Sequence, residues 1–226
     1  MSAPEVTGQA DGEAAARYCA ARLAEALGEA VAERGAAHVA LSGGNTPVRT
    51  YELLGGLLGS GEKVHLWLAD ERCVALDDPE SNARLILETL DLPEATLHTV
   101  DGTLGPEAAA AAYAAELGDV VLDAALLGLG PDGHTASLFP GHATLEQHGS
   151  RVLPVDDSPK PPPERVTMSL DTLGEARSLL LLVTGEGKAD ALARTLGEPT
   201  LEAPASLLPR ERLEVVADRA ALGEAG

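Results

Sequence analysis

The chain has 226 residues, of which 36 are acidic and 16 are basic, so its formal net charge at pH 7 is −20. This charge argues against nucleic acid and anionic membranes as partners, because both are polyanions, and any anionic ligand would have to be held by a few local cations. No apolar stretch approaches the roughly 20 residues that a membrane span requires, and the acidic N-terminus lacks the basic region of a signal peptide, so we expect a cytoplasmic protein.

Apolar segments with strand character alternate along the chain with segments rich in Ala, Leu and Glu that have helical spacing. The predicted elements are, in chain order, helix 11–34, strand 39–41, helix 47–58, strand 64–68, helix 80–90, helix 106–117, strand 124–129, strand 178–183, helix 188–196 and strand 213–216. Near-continuous apolar strands that alternate with helices are typical of a mostly parallel sheet covered on both faces. The sequence predicts an α/β fold, with residues 1–226 forming a single domain on an open, mostly parallel twisted sheet.

Three local signals refine this pattern. Thr46-Pro47 and Asp78-Pro79 each place a capping residue before a proline, which is typical of a helix start. The segment 156–164 reads D-D-S-P-K-P-P-P-E, and its three consecutive prolines exclude a helix and favour an extended loop.

In a parallel sheet, ligands bind beyond the carboxyl ends of the strands, so the loops that follow the strands are the candidate ligand-binding segments. The loop 41–47, L-S-G-G-N-T-P, closes one strand and opens a helix. Its glycines allow close backbone approach, and Ser42, Thr46 and the helix amides can cradle a phosphate. No Gly-Lys-Ser/Thr follows, so this is not a Walker loop, and an ordinary glycine turn is the alternative.

A second loop, Asp70-Glu71-Arg72, comes directly after the predicted strand V-H-L-W-L. Arg72 can clamp a phosphate with both arms of its guanidinium. Asp70 can orient Arg72 or bind a substrate hydroxyl. The alternative is a surface ion pair, which is less favoured because the preceding strand should be buried.

The most informative segment is 126–141, L-L-G-L-G-P-D-G-H-T-A-S-L-F-P-G, in which a buried strand ends in a glycine turn with Asp132 and His134. An imidazole there is suited to proton transfer near neutral pH. Gly128, Gly130 and Gly133 also satisfy G-x-G-x-x-G, the dinucleotide-binding pattern. Only the five residues 135–139 fit before Pro140-Gly141, too few for the required helix, so nicotinamide binding is not expected.

The remaining candidates are cations on later loops. Lys160, Arg165 and Lys188 are potential anion ligands in so acidic a chain, although a solvated surface cation is the common case. No metal is expected, since His142 and His148 lack companion ligands and the two cysteines have no metal-ligand spacing.

Together these segments resemble the 6-phosphogluconolactonases of the glucosamine-6-phosphate isomerase/6-phosphogluconolactonase superfamily. The matching stretches run through nearly the whole chain: L-S-G-G-N-T-P (41–47), D-E-R (70–72), D-P-E-S-N (78–82), G-L-G-P-D-G-H-T-A-S-L-F-P-G (128–141), P-K-P-P-P-E-R-V-T (159–167) and T-G-E-G-K (184–188). In the related deaminases a catalytic glutamate lies five residues after the histidine. Here that position is Phe139, which cannot exchange protons.

The resemblance implies a Rossmann-like fold and hydrolysis of 6-phospho-D-glucono-1,5-lactone in the pentose phosphate pathway, without metal or cofactor. His134 would be the general base, with Asp132 holding the imidazole or binding a substrate hydroxyl. The implied substrate- and phosphate-binding residues are Ser42, Gly43, Gly44, Asn45, Thr46, Asp70 and Arg72, with one or more of Lys160, Arg165 and Lys188. The expected partner is the sugar-phosphate lactone alone, bound to a monomer or weak homo-oligomer.

Three alternatives stay open at this point. Deaminase-like aldose–ketose chemistry would need another acid–base group in place of Phe139. A serine hydrolase would use Ser42 as nucleophile and His134 as base. A non-catalytic sugar-phosphate sensor would keep the phosphate loops only.

Overall fold

The computed structural model describes residues 3–224. Within them the strands are β1 Glu5–Gln9, β2 Ala37–Leu41, β3 Val64–Leu68, β4 Asp70–Arg72, β5 Thr96–Leu97, β6 Ala124–Gly128, β7 Val152–Val155, β8 Arg165–Met168, β9 Leu179–Val183 and β10 Leu213–Asp218. The α-helices are α1 Gly12–Arg34, α2 Val48–Leu58, α3 Asn82–Thr89, α4 Pro106–Leu117, α5 Leu170–Glu175 and α6 Ala189–Leu196. Short 3-10 helices cover Gly102–Leu104, Ala143–Glu146, Glu186–Lys188 and Pro204–Leu207.

Seven of these strands form a parallel sheet in the order β1-β10-β9-β6-β2-β3-β5. Its central strands are the most apolar segments of the chain; all five residues of β9, L-L-L-L-V, are buried. Buried strands of this kind are covered on both faces, which is why their hydrophobic runs are continuous rather than alternating. The prediction of a mostly parallel α/β sheet flanked by helices is confirmed.

The chain order creates a reversal at the middle of the sheet. From β2 the chain adds β3 and β5 on one side, and then returns to place β6, β9 and β10 on the other. The carboxyl ends of β2 and β6 therefore diverge into loops at a topological switch point, where open α/β sheets form ligand crevices.

A second, antiparallel sheet of the order β4-β8-β7 was not predicted. Its strands carry weak sequence signals, because β4 is the charged triplet D-E-R and β7 contains a proline. The pairing of β4 with β8 places Asp70 opposite Thr167 and Arg72 opposite Arg165. This sheet therefore joins two segments that lie almost a hundred residues apart in the sequence.

Both helix starts predicted from a proline pair were wrong in detail. Helix α2 begins at Val48 after Pro47, and no side chain caps it, Thr46 included. Helix α3 begins at Asn82, with Ser81 and not Asp78 as the N-cap; the Ser81 side chain accepts a hydrogen bond from the backbone N–H of Arg84. The segment 156–164 is irregular, as predicted. No helix among residues 3–224 combines the length and the apolar character needed to cross a bilayer.

Candidate active site

A cavity of about 390 Å³ lies at the carboxyl ends of four adjacent strands, β9, β6, β2 and β3. Every site residue predicted from the sequence lines it except Asp132. The lining comprises Ser42, Gly43, Gly44, Asn45, Thr46, Pro47, Asp70, Arg72, Asn82, Gly128, Leu129, Gly130, Pro131, His134, Ala136, Lys160, Arg165 and Lys188. The fold thus brings together residues that the sequence spreads over nearly 150 positions.

The glycine-rich loop after β2 forms one wall of the cavity. The Ser42 hydroxyl is buried and has no hydrogen-bond partner, although its backbone carbonyl accepts a 2.6 Å hydrogen bond from the Tyr51 hydroxyl. Gly44 has φ +88, a left-handed conformation that favours glycine. Because no side chain caps α2, the first amides of that helix are available for an anion. This wall has the donors of an oxyanion or phosphate site.

Asn82, to which the sequence reasoning gave no role, fixes this loop against β4. Its amide nitrogen donates to the backbone oxygen of Asp70 at 2.8 Å, and the side chain is buried against Gly43. A Cβ at residue 43 would overlap the Asn82 amide, so only glycine fits there. The sequence feature that could have indicated a role for Asn82 is the polar segment D-P-E-S-N, which ends at this asparagine.

Glu71 anchors the start of α3 and thereby positions Asn82. Its buried carboxylate accepts hydrogen bonds from the backbone N–H groups of Arg72, Asn82 and Ala83 and from the Ser81 hydroxyl, all between 2.7 and 3.0 Å. The middle residue of D-E-R is therefore a structural acceptor, while its two neighbours face the cavity.

Asp70 and Arg165 are held in a buried network. The Ser137 hydroxyl donates to Asp70 at 2.6 Å, and the Arg165 guanidinium lies 3.9 Å from the same carboxylate. Arg165 also donates to the carbonyls of Lys160, Pro161 and Pro162 at 3.0–3.2 Å. Most of its donors are thus used within the protein, and its main observed role is to hold the proline-rich loop.

The acid and the imidazole of the D-G-H turn form a pair. The Nδ1 atom of His134 lies 2.5 Å from Oδ1 of Asp132. Gly130 allows this arrangement, since a Cβ there would overlap both side chains. Asp132 lies outside the cavity lining, whereas the imidazole lines the cavity. A hydrogen bond that occupies Nδ1 leaves Nε2 as the nitrogen free to take up a proton.

The electrostatic environment keeps this histidine neutral. Burial lowers the pKa of His134, and the nearby Lys160 ammonium lowers it further, while Asp132 opposes both effects. Burial raises the pKa of Asp132, but the attraction of His134 and Lys160 outweighs it, so that pKa lies below its ordinary value. The pair is therefore a carboxylate next to a neutral imidazole near pH 7, which is the protonation state of a general base.

Three further cations reach the cavity from separate segments of the chain. The Lys160 ammonium is 3.3 Å from Oδ1 of Asp132 and 3.1 Å from Nδ1 of His134. Lys188 donates to the Leu129 carbonyl at 2.8 Å, and burial, aided by Lys160, lowers its pKa. Arg72 donates to the carbonyl of Glu80 at 2.5 Å, and its Nε is buried without a partner. Both Lys188 and Arg72 keep donors that a bound anion could use.

Phe139 packs behind the histidine. It is buried, its ring centroid is 4.9 Å from that of His134, and the Arg165 guanidinium carbon is 5.6 Å from the ring centroid. The position therefore supplies apolar packing and a cation–π contact rather than an acid–base group.

Comparison with known proteins places this site in context. Residues 10–217 match the family model described as glucosamine-6-phosphate isomerases/6-phosphogluconolactonase. The 6-phosphogluconolactonase of Mycobacterium tuberculosis is 40% identical over 195 residues, which cover 78% of this chain and 79% of that protein. The 6-phosphogluconolactonase of Streptomyces coelicolor is 37% identical over 230 residues, covering 90% and 87%. A crystal structure of a 6-phosphogluconolactonase from Shewanella baltica superposes with a TM-score of 0.87 at 28% identity, over 95% of this chain and 97% of that one.

Proposed function

The chain belongs to the glucosamine-6-phosphate isomerase/6-phosphogluconolactonase family, and we propose that it hydrolyses 6-phospho-D-glucono-1,5-lactone to 6-phospho-D-gluconate at the cavity described above. This is the lactone-opening step of the oxidative pentose phosphate pathway. The relatives that carry this activity in their names cover most of the chain, and the resemblance drawn from the sequence motifs is confirmed.

The proposal rests on one observation: an acid–base pair and a set of anion-binding donors occur at the same cavity. The pair is a neutral imidazole backed by a carboxylate, at His134 and Asp132. The donors are the unpartnered Ser42 hydroxyl of the loop 42–46 and the free amides at the start of α2. A cyclic ester that carries a phosphate needs both a base near its carbonyl and an anion site at its other end.

In this mechanism Nε2 of His134 takes a proton from water as the water oxygen attacks the lactone carbonyl. The carbon–oxygen bond of the ring then breaks, and the imidazolium returns its proton to the departing ring oxygen. Asp132 holds the ring through Nδ1 and stabilises the imidazolium. Backbone amides of the glycine turns, or one of the cavity cations, stabilise the tetrahedral oxyanion.

The phosphate is assigned to the cradle of Ser42, Gly43, Gly44, Asn45 and Thr46, with Arg72 and Lys188 as its cations. Two features of the described residues disfavour the alternatives. A nucleophilic serine should hydrogen-bond its base, but the Ser42 hydroxyl has no partner and His134 pairs with Asp132 and Lys160. Aldose–ketose chemistry would need an acid–base group where the buried Phe139 packs.

The direct test is to follow acid release from freshly generated 6-phosphogluconolactone in a pH-stat, against the spontaneous rate without protein. We expect His134→Ala to lose about a hundred- to ten-thousand-fold in turnover, because positioned acid–base groups contribute that much. His148→Ala, at an exposed histidine in a remote loop, is the matched control and should behave as the parent protein. A parent protein that does not exceed the spontaneous rate would refute the lactonase assignment, and a fully active His134→Ala would refute the role of His134.

A further inference from the structure

The cavity contains two of the three lysines of this chain, Lys160 and Lys188; the third, Lys63, is exposed at the amino end of β3. Lys160 differs from the other cations of the cavity in what it contacts. Its ammonium lies within 3.1–3.3 Å of both members of the acid–base pair, at Nδ1 of His134 and Oδ1 of Asp132. It therefore stands on the side of the imidazole that faces Asp132 and not on the side of Nε2.

The proline-rich loop holds this lysine at a fixed place. The Ser158 hydroxyl donates to the Lys160 carbonyl at 2.9 Å and accepts from the Lys160 N–H at 3.2 Å. The Arg165 guanidinium donates to the carbonyls of Lys160 and Pro161, and Arg165 is 95% buried. Because both the N–H and the carbonyl of Lys160 are hydrogen-bonded, its backbone is held in place and only its side chain can change conformation. The loop thus delivers a positive charge to the pair from outside the D-G-H turn.

An ammonium at this position acts against protonation of the imidazole, because two like charges would then lie about 3 Å apart. The other charged groups facing His134 are Asp132, on its own turn, and Asp70, on β4, which both favour the protonated form. Lys188 adds positive charge to the same cavity from the loop after β9. The two carboxylates favour the protonated imidazole. Burial is the main effect that opposes them, and the Lys160 ammonium adds to it.

We propose that Lys160 is a positioning residue for the acid–base pair: its ammonium acts together with burial to keep His134 unprotonated in the free protein and makes the imidazolium formed during catalysis a better proton donor. This inference rests on the proposed function in one respect, since it assumes that His134 acts as base and then acid. It assigns Lys160 to the pair and not to the phosphate.

The test compares Lys160→Met with Lys63→Met, which removes the same charge from an exposed site. Imidazole resonances are followed by NMR from acidic to alkaline pH, with the His134 signals identified by their loss in His134→Ala. We expect the titration midpoint of His134 to move to higher pH in Lys160→Met and to stay unchanged in Lys63→Met. Coinciding midpoints in Lys160→Met and the parent protein would overturn the proposal. Because this measurement needs no substrate, it stands even if the lactonase assignment fails.

A kinetic measurement distinguishes this role from phosphate binding. In Lys160→Met the acid limb of the kcat/KM profile, which reports the free enzyme, should move to higher pH with both 6-phosphogluconolactone and unphosphorylated gluconolactone. A rise in KM confined to the phosphorylated substrate, with an unmoved pH profile, would show that Lys160 is a phosphate ligand. Lys160→Arg keeps the charge and should retain the parent profile. A shift in Lys160→Arg as large as in Lys160→Met would attribute the effect to loop packing and reject the electrostatic role.

Discussion

Ser42 carries a buried hydroxyl that makes no hydrogen bond with any residue of the described chain 3–224. A buried polar group without a partner costs stability, so a partner such as water, an ion or a ligand is expected for it. At the residue scale, the site contains buried polar atoms without a hydrogen-bond partner, the Ser42 hydroxyl and Nε of Arg72. It also contains glycines whose missing side chains leave space for neighbouring residues. Gly43 makes room for Asn82 and Gly130 for the His134–Asp132 pair.

Replacing Ser42 by alanine should separate binding from catalysis. Without substrate the variant should be as stable as the parent protein or more so, because it loses an unsatisfied hydroxyl. Binding of the phosphorylated lactone should weaken by about 1.5–3 kcal/mol, the contribution of a hydrogen bond to a charged group, and turnover at saturation should survive. Thermal unfolding and steady-state kinetics measure the two effects. A collapse of turnover at saturating substrate would instead make Ser42 the nucleophile.

At the scale of elements, the start of α3 is fastened to β4 by one buried carboxylate. Glu71 accepts hydrogen bonds from the Asn82 and Ala83 N–H groups, which are donors that every helix start leaves unpaired. It also accepts from the Ser81 hydroxyl and from the Arg72 N–H of β4. The same junction places Asn82 against Gly43 of the loop before α2. The geometry of the cavity wall formed by the glycine loop thus depends on Glu71, which does not itself line the cavity.

We expect Glu71→Ala to lower the free energy of unfolding by about 1–3 kcal/mol, since buried donors lose their acceptor. KM for the phosphorylated lactone should rise at the same time, because Asn82 no longer holds the glycine loop. Urea unfolding and kinetics test both effects, with the exposed Glu62→Ala as the control for loss of a negative charge. Unchanged stability in Glu71→Ala would show that water replaces the carboxylate at no cost.

At the scale of the whole molecule, three histidines connect neighbouring strands on the face covered by α4. The ring centroids of His38 and His65 are 4.6 Å apart, those of His65 and His98 are 5.3 Å apart, and Trp67 stacks on His98 at 3.7 Å. The Trp67 indole N–H donates to His38, and Glu116 of α4 bonds His98. Burial lowers the pKa values of His38 and His65. Repulsion between the imidazoles adds to this effect, since His65 and His98 act on His38 and His98 acts on His65. The Asp123 carboxylate opposes the lowering at His38.

These lowered pKa values predict a loss of stability in acid. Histidines of the unfolded chain take up protons near pH 6.5, whereas His38 and His65 in the folded protein take them up only at lower pH. The unfolded state therefore binds more protons as the pH falls through about 6.5, and the free energy of unfolding decreases there. His38→Gln, which keeps an acceptor for Trp67, should reduce the decrease measured by urea unfolding between about pH 7.5 and 5.5. The exposed His148→Gln should leave it unchanged, and equal slopes in all three proteins would contradict the prediction.

The sequence by itself determined the fold class and most of the site. The five predicted strands all belong to the parallel sheet, because buried parallel strands are continuous apolar runs that local composition reveals. The D-G-H turn and the glycine loop could also be identified from the sequence, because each follows a predicted strand and carries side chains suited to proton transfer or phosphate binding. Loops at the carboxyl ends of adjacent parallel strands must converge, so eleven of the twelve predicted site residues line one cavity.

Only the tertiary structure decided which partner each polar group takes. The antiparallel sheet β4-β8-β7 depends on pairing between segments distant in sequence, and its charged or proline-containing strands carry no local pattern. That pairing brings Arg165 beside Asp70, and the guanidinium then serves loop carbonyls that no spacing rule identifies. Likewise Lys160 reaches the His134–Asp132 pair because its loop folds back over the turn. Hydrogen bonding depends on distances of a few tenths of an ångström, and such distances are set when distant segments pack together, not by their order along the chain.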